Sequence, residues 1–267
     1  MKRIILILIV LLISVSTAYA ADNATDAIAK DANAIYFDAN ADIDGNGTAE
    51  SPYKYITNER IEYGITAYLS EGTYEINETC NIYSSDSQPS VFIGKSMENT
   101  FIKHNVEKRF TFMVKSKSNA VFQNLTFDNV HIENKATLSF DNVIFKDGAG
   151  FQKQYSAYMN SEDEDYNNSF GGAILSADPA DVITTLNINS CIFSNITAAY
   201  GGAISTRNAN VNIRNTTFRK TSSQIFGGAI ACENSNLTLK NCTFNDSKSL
   251  DDAGGAIYLK HSKSTIT

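Results

Sequence analysis

The sequence predicts an all-β chain wound as a single-stranded parallel β-helix, and three observations carry that prediction. The phrase GGAI occurs four times, at 171–174, 201–204, 227–230 and 254–257, in steps of 30, 26 and 27 residues. A phrase recurring at a period of about 20–50 residues marks a repeat architecture rather than a catalytic loop, which is needed once. A second phrase travels with it: LNINSCIF (186–193), VNIRNTTF (211–218) and LTLKNCTF (237–244). The composition agrees, with three Pro, no Trp, and Asn, Ser, Thr and Ile in alternation with apolar residues. That mixture favours short strands with polar turns over helices or disorder.

Taken in order, residues 1–20 read as a signal peptide. MKR gives a basic start, IILILIVLLISV an apolar run, and Ala18-Tyr19-Ala20 a small-x-small cleavage site. No later apolar stretch is long enough to span a bilayer, so the mature chain is expected to be exported. Without Lys2 and Arg3, 20 basic side chains face 29 acidic ones, a balance of −9. An acidic exported chain is a poor partner for nucleic acid. Residues 21–34 are expected to be a linker and 35–267 the β-helix.

Early coils are expected to be irregular, since NIYSSDSQPSVFIGKSMENTFIKHN (81–105) alternates only loosely. AVFQNLTFDNV (120–130) and ATLSFDNVIFKD (136–147) carry the strand–Asn–strand–Phe phrase without the Gly pair. Residues 151–170 break the rhythm with Glu162, Asp163, Glu164, Asp165 and several tyrosines, and are expected to form an insertion loop. The full repeats fill 171–267.

Within each repeat, apolar residues at i and i+2 make a half-buried strand. A polar corner follows at Ser190, Asn215 and Asn241, and then comes Phe193, Phe218 or Phe244. The apolar phase slips by one across the corner, which would turn the second set outward in a flat sheet. The slip makes sense if the chain bends there and starts a new sheet facing the same core. The pairs Gly171–Gly172, Gly201–Gly202, Gly227–Gly228 and Gly254–Gly255 fit a tight bend and close backbone approach. Coils would then stack Phe on Phe and Ile on Ile.

Four cysteines, Cys80, Cys191, Cys232 and Cys242, stand in the chain. Cys191 and Cys242 occupy one repeat position two coils apart, roughly 10 Å at the usual strand spacing, which exceeds disulfide reach. Both read as small buried residues; a Cys232–Cys242 pair stays open.

GGAI joined to L-x-L-x-N-C-x-F resembles the repeats of adhesin-like surface proteins of methanogenic archaea. It is also similar to the GGA(I/V)-plus-FxxN repeats of chlamydial polymorphic outer-membrane proteins, although SNI, RKT and NDS follow the three phenylalanines and lack that asparagine. IYFDANADIDGNGTAESPYKYI (35–56) and YLSEGTYEIN (68–77) are similar to the opening of secreted right-handed β-helix proteins, a pectin-lyase-like fold. The resemblance covers about 35–267 and implies a right-handed helix, a secreted or cell-surface location and an adhesive role. That role would be attachment to cells or extracellular glycans, with a polysaccharide or protein ligand. Membrane contact would come only through the signal peptide or a C-terminal anchor not in the sequence. The chain stops at SKSTIT, just where the next strand should begin, so a truncated product is expected.

No catalytic or cofactor site is legible. Asp128, Asp141, Asp147 and Asp181 are scattered, and His104, His131 and His261 are isolated, so neither a carboxylate pair nor a zinc spacing appears. Asp42, Asp44 and Asn46 alternate as in a calcium loop, but Asn40 stands in the first place and Glu50 falls one place short of the bidentate acid. A turn capping the first coil is the better reading, with calcium a weak alternative. Among many Asn-x-Ser/Thr sites, Asn77, Asn195 and Asn236 are candidate glycan attachment points. Corner asparagines such as Asn215 and Asn241 could instead form a buried ladder. A polysaccharide lyase or hydrolase, or a purely structural envelope component, stands as the alternative function.

Overall fold

The structure is a computed structural model and describes residues 33–104, 111–148, 153–154, 167–168, 170–178, 180, 182–251 and 254–267. The expected signal peptide therefore lies outside the described residues, as do Asp181 and the acidic run of the 151–170 stretch. Of that stretch, Lys153–Gln154 pairs antiparallel with Asn167–Asn168.

The described chain is a parallel β-helix. One ladder runs Ala34–Phe37, Thr66–Leu69, Ser90–Gly94, Asn119–Asp128, Thr137–Lys146, Thr184–Asn189, Ala209–Arg214, Asn236–Lys240 and Lys263–Ile266, every pair parallel. A second flank carries Gly72–Ile76, Thr100–His104, Ile192–Tyr200, Thr217–Phe226 and Thr243–Asn245. The third is a separate sheet of seven strands from Cys80–Ile82 to Ile257–Lys260, in which the GGAI isoleucines stand. The expected chain end already forms a strand, Lys263–Ile266, paired with Asn236–Lys240.

The polar corner differs from expectation in one respect. In the three full repeats one strand ends before it, at Asn189, Arg214 or Lys240, and another starts after it on the second flank, whereas upstream Asn119–Asp128 and Thr137–Lys146 run straight through it and stay paired on both sides. The bend is a single left-handed residue, with φ 54° at Asn124, 57° at Asn142, 53° at Ser190, 51° at Asn215 and 52° at Asn241. One such residue turns the apolar set back to the core, which is why the phase slips by one.

Each later coil makes four such turns. In sequence order they are Ser190, Asn195, Gly201 and Asn208, then Asn215, Lys220, Gly227 and Asn234, then Asn241, Asp246, Gly254 and His261. Asparagine and aspartate tolerate this region because a short polar side chain bonds locally. At the third turn only glycine fits: a Cβ on Gly201 would collide with the carbonyl of Ile204, and one on Gly202 with the carbonyl of Gly228 in the next coil.

The core is built from columns. Phe145, Phe193, Phe218 and Phe244 stack with centroids 4.6, 4.9 and 4.9 Å apart and planes within 8°. These distances match the strand spacing of ~4.8 Å, so the ring repeat follows from the backbone repeat. Phe92, Phe122 and Phe140 form a second stacked column upstream, which passes to Ile188 in the next coil. Ile132, Ile174, Ile204 and Ile230 form the facing column, all fully buried.

The residue after the first corner has its own role. Cys191 Sγ, Thr216 Oγ1 and Cys242 Sγ each donate to the carbonyl two residues back, at 3.1, 2.8 and 3.4 Å. A small side chain with one donor suits the place, so Cys and Thr alternate there. All four cysteines are free thiols, which resolves the open Cys232–Cys242 pair. Cys191 is buried, and Cys242, in a later coil, is half-buried. Desolvation pushes the Cys80 and Cys191 thiols up to about 12 and Cys232 to about 11.

The asparagine ladder exists, but on the outside. Asn142 donates to Asn124 at 2.8 Å, Asn215 to Asn189 at 3.1 Å and Asn241 to Asn215 at 3.4 Å, and Asn215 and Asn241 are exposed. A left-handed residue at a convex bend throws its side chain away from the core, so this ladder could not be buried.

Candidate functional site

In the first coil the residues of the calcium-like stretch are engaged within the chain. Asp44 forms a salt bridge with Arg60 at 2.6 Å and accepts the Lys54 amide at 2.8 Å. The Arg60 guanidinium holds the Asp44 carboxyl below its usual range. Asn46 Oδ1 accepts from the Thr48 amide and hydroxyl, while Asp42 is exposed. Glycines 45 and 47 bond back to Pro52 and Ser51. The stretch is a turn fastened over Tyr53, whose ring Arg60 covers at 4.1 Å. Among the described residues no cluster of three or more His, Cys, Asp or Glu has metal-ligand geometry.

The scattered acids are also engaged separately. Asp128 pairs with Lys146 at 3.2 Å, Asp141 accepts from Asn189 at 2.6 Å, and Asp147 accepts from Asn195 at 2.7 Å. His104 and His131 are buried, and His261 sits at a left-handed turn of the last coil. Of the candidate glycan sites, Asn77, Asn195 and Asn236 are all exposed. The amides of Asn195 and Asn236 already donate to Asp147 and Asn210.

The most site-like feature was not read from the sequence. It lies on the outer side of the GGAI sheet, where strands Ile174–Ser176, Ile204–Arg207, Ile230–Glu233 and Ile257–Lys260 run side by side. The residue before each Gly pair is aromatic in three repeats: Phe170, Tyr200 and Phe226. These rings form an outer ladder, with Phe170 on Tyr200 at 4.9 Å and Tyr200 beside Phe226 at 5.6 Å. The fourth repeat has alanine there in sequence, and Tyr258 supplies the ring instead, 4.2 Å from Phe226.

Beside the ladder is a cavity of about 180 Å³. Its floor follows one register column, Leu175–Ser205–Ala231–Tyr258, so small residues stand in the middle and large ones at both ends. The next outward column carries Arg207, Glu233 and Lys260. Lys260 donates to Glu233 at 2.8 Å, which also raises the Lys260 ammonium above its usual range. Arg207 Nε is buried and has no hydrogen-bond partner among the described residues. Upstream on the same face, Lys115 and Lys135 flank the buried Glu133, with Lys135 at 3.5 Å from it. Burial first, and then the Lys135 charge, hold the Lys115 ammonium below its usual range.

This face therefore carries Lys115, Lys135, Arg207 and Lys260 against Glu133 and Glu233, on a chain of net charge −7. The signal that could have found it was in the sequence: an aromatic before GG, and a charged residue three places after each GGAI from the second repeat on. Both had been absorbed into the turn and strand phrases.

A stack of GGAI coils with an apolar groove rimmed by Arg207, Glu233 and Lys260 on one flank is a parallel β-helix of repeated coils. Residues 190–207, from the first corner of one coil through GGAI to Arg207, match the Chlamydia polymorphic membrane protein (Chlamydia_PMP) repeat. The fold and that match together support a polymorphic-membrane-protein-like β-helix surface protein. That repeat family is one of surface or outer-membrane proteins and is not an enzyme family. No match to this chain was found among the curated proteins.

Proposed function

We propose that the protein is an exported, adhesin-like surface protein that attaches to extracellular glycans through the outer groove of the GGAI sheet. The observation that carries this reading is the groove itself: apolar rings on one wall, small residues on the floor and hydrogen-bonding charges on the other wall. Saccharide sites have this mixture, because a sugar ring offers C–H surface and hydroxyls together. Pockets that fix a ligand combine an apolar lining with a few placed polar groups. At about 180 Å³ the cavity is smaller than the ~300–1,000 Å³ of drug-sized sites, which suits one sugar unit of a longer chain.

The test is a glycan array and a whole-cell binding assay on the full chain, run beside Ala231→Leu, which fills the floor. Binding that disappears in the filled variant, with the β circular-dichroism signal kept, is the expected result. Equal binding by both would move attachment off this groove. Breakdown of an arrayed glycan would instead favour the enzyme reading.

A further inference from the structure

We infer that the sugar unit taken by the groove carries a carboxylate, and that Arg207 is the residue that reads it. The inference rests on the glycan-attachment reading and adds the chemical class of the ligand.

The outward column beside the floor holds Arg207, Glu233 and Lys260, of which only Glu233 and Lys260 pair with each other. Arg207 lines the groove, and its Nε–H is buried without an acceptor among the described residues. A buried donor without an acceptor is costly, and more so when it belongs to a charged group. A ligand that supplies the acceptor recovers that cost. The guanidinium presents its Nε–H and an Nη–H along one planar edge, which matches the two oxygens of a carboxylate.

The opposite wall points the same way. In the outer ladder the rings lie face to face, Phe170 on Tyr200 and Phe226 on Tyr258 within 16°. Stacking covers one face of each of these rings, while Tyr200 and Phe226 are tilted by 40° to each other, so ring edges are part of what lines the groove. Ring edges carry the positive end of the aromatic quadrupole and favour electron-rich oxygen. A floor of Ser205 and Ala231, closed by Leu175 and Tyr258, leaves room for a single ring between these walls. Lys115 and Lys135 extend the positive strip along the helix, where further acidic units of the same chain would run.

The experiment titrates the full chain with a glucuronate-terminated oligosaccharide, its glucose-terminated counterpart and the glucose 6-sulfate form. The expected result is roughly tenfold or more tighter binding of the glucuronate form. Arg207→Ala should remove that preference. Arg207→Lys, which keeps the charge but not the fork, should restore part of it. Equal affinity for glucuronate and glucose, unchanged in both variants, would overturn the carboxylate reading and leave glycan attachment standing. Equal affinity for glucuronate and sulfate would also overturn it, because the site would then read charge alone. Binding of none of the three by folded protein would overturn both this inference and the attachment reading beneath it.

Discussion

A left-handed corner separates residue types more sharply than a strand does. Lys220 holds φ 51° where the equivalent places carry Asn195 and Asp246, so lysine adopts there a conformation costing roughly 1–2 kcal/mol. Lys220→Gly should therefore raise the unfolding free energy by about 1 kcal/mol, as urea denaturation would show. The Gly pairs give the opposite case with an internal control. A Cβ on Gly228 would strike the Gly255 carbonyl, while one on Gly255 meets nothing within 4 Å. Gly228→Ala should cost about 2 kcal/mol or more and Gly255→Ala less than about 0.5 kcal/mol. The buried thiols supply a pH dependence. Cys80, Cys191 and Cys232 stay protonated in the fold to about 12, 12 and 11 but ionise near 9 when unfolded. Above pH 9 the unfolded chain thus binds fewer protons, and their contribution to stability, intact below pH 9, is lost as pH rises toward 11–12. Folded protein at pH 8 should resist iodoacetamide at these three positions and react at all of them in denaturant. Ser190, Asn215 and Asn241 were legible as corners because the apolar phase slips beside them. Lys220 and His261 were not, since nothing about those residue types asks for a left-handed turn; only the stacked backbone imposes it.

At the scale of elements, the repeat acts through columns. Phe218 sits between Phe193 and Phe244 with its ring parallel to both. Phe218→Ala should cost about 3–5 kcal/mol. In a solenoid each coil contacts its neighbours, so the loss should be local. Hydrogen exchange should speed up first from about residue 186 to 249, while the coils around Phe92, Phe122 and Phe140 keep their protection. Uniform acceleration along the chain would contradict stacking of semi-independent coils. Strands and their inward residues were legible from period-two alternation and the repeat of Phe and Ile. What escaped was the outward face of the GGAI sheet. Its columns, such as Leu175–Ser205–Ala231–Tyr258, share no residue type. A site made by stacking dissimilar residues shows in sequence only as fixed offsets from GGAI, and it needed the register to bring Arg207 beside Glu233 and Lys260.

For the whole molecule, the net charge of −7 conceals a basic strip on one flank. The charge balance read from sequence made nucleic acid a poor expected partner, and it did not show where the basic residues gather. Attachment through this strip should weaken as salt is raised from about 50 to 500 mM, because exposed charges beyond a Debye length of roughly 10 Å at 0.1 M are screened. The groove contacts should weaken less. On the proposed reading, the stacked GGAI coils build a glycan site at Arg207. A crystal structure of the full chain soaked with a glucuronate oligosaccharide tests it most directly. The expected result is a sugar ring over Ser205 and Ala231, beside the Tyr200–Phe226 wall, with its carboxylate on the Arg207 guanidinium. A saturated crystal with the sugar bound elsewhere, or with an empty groove, would contradict it.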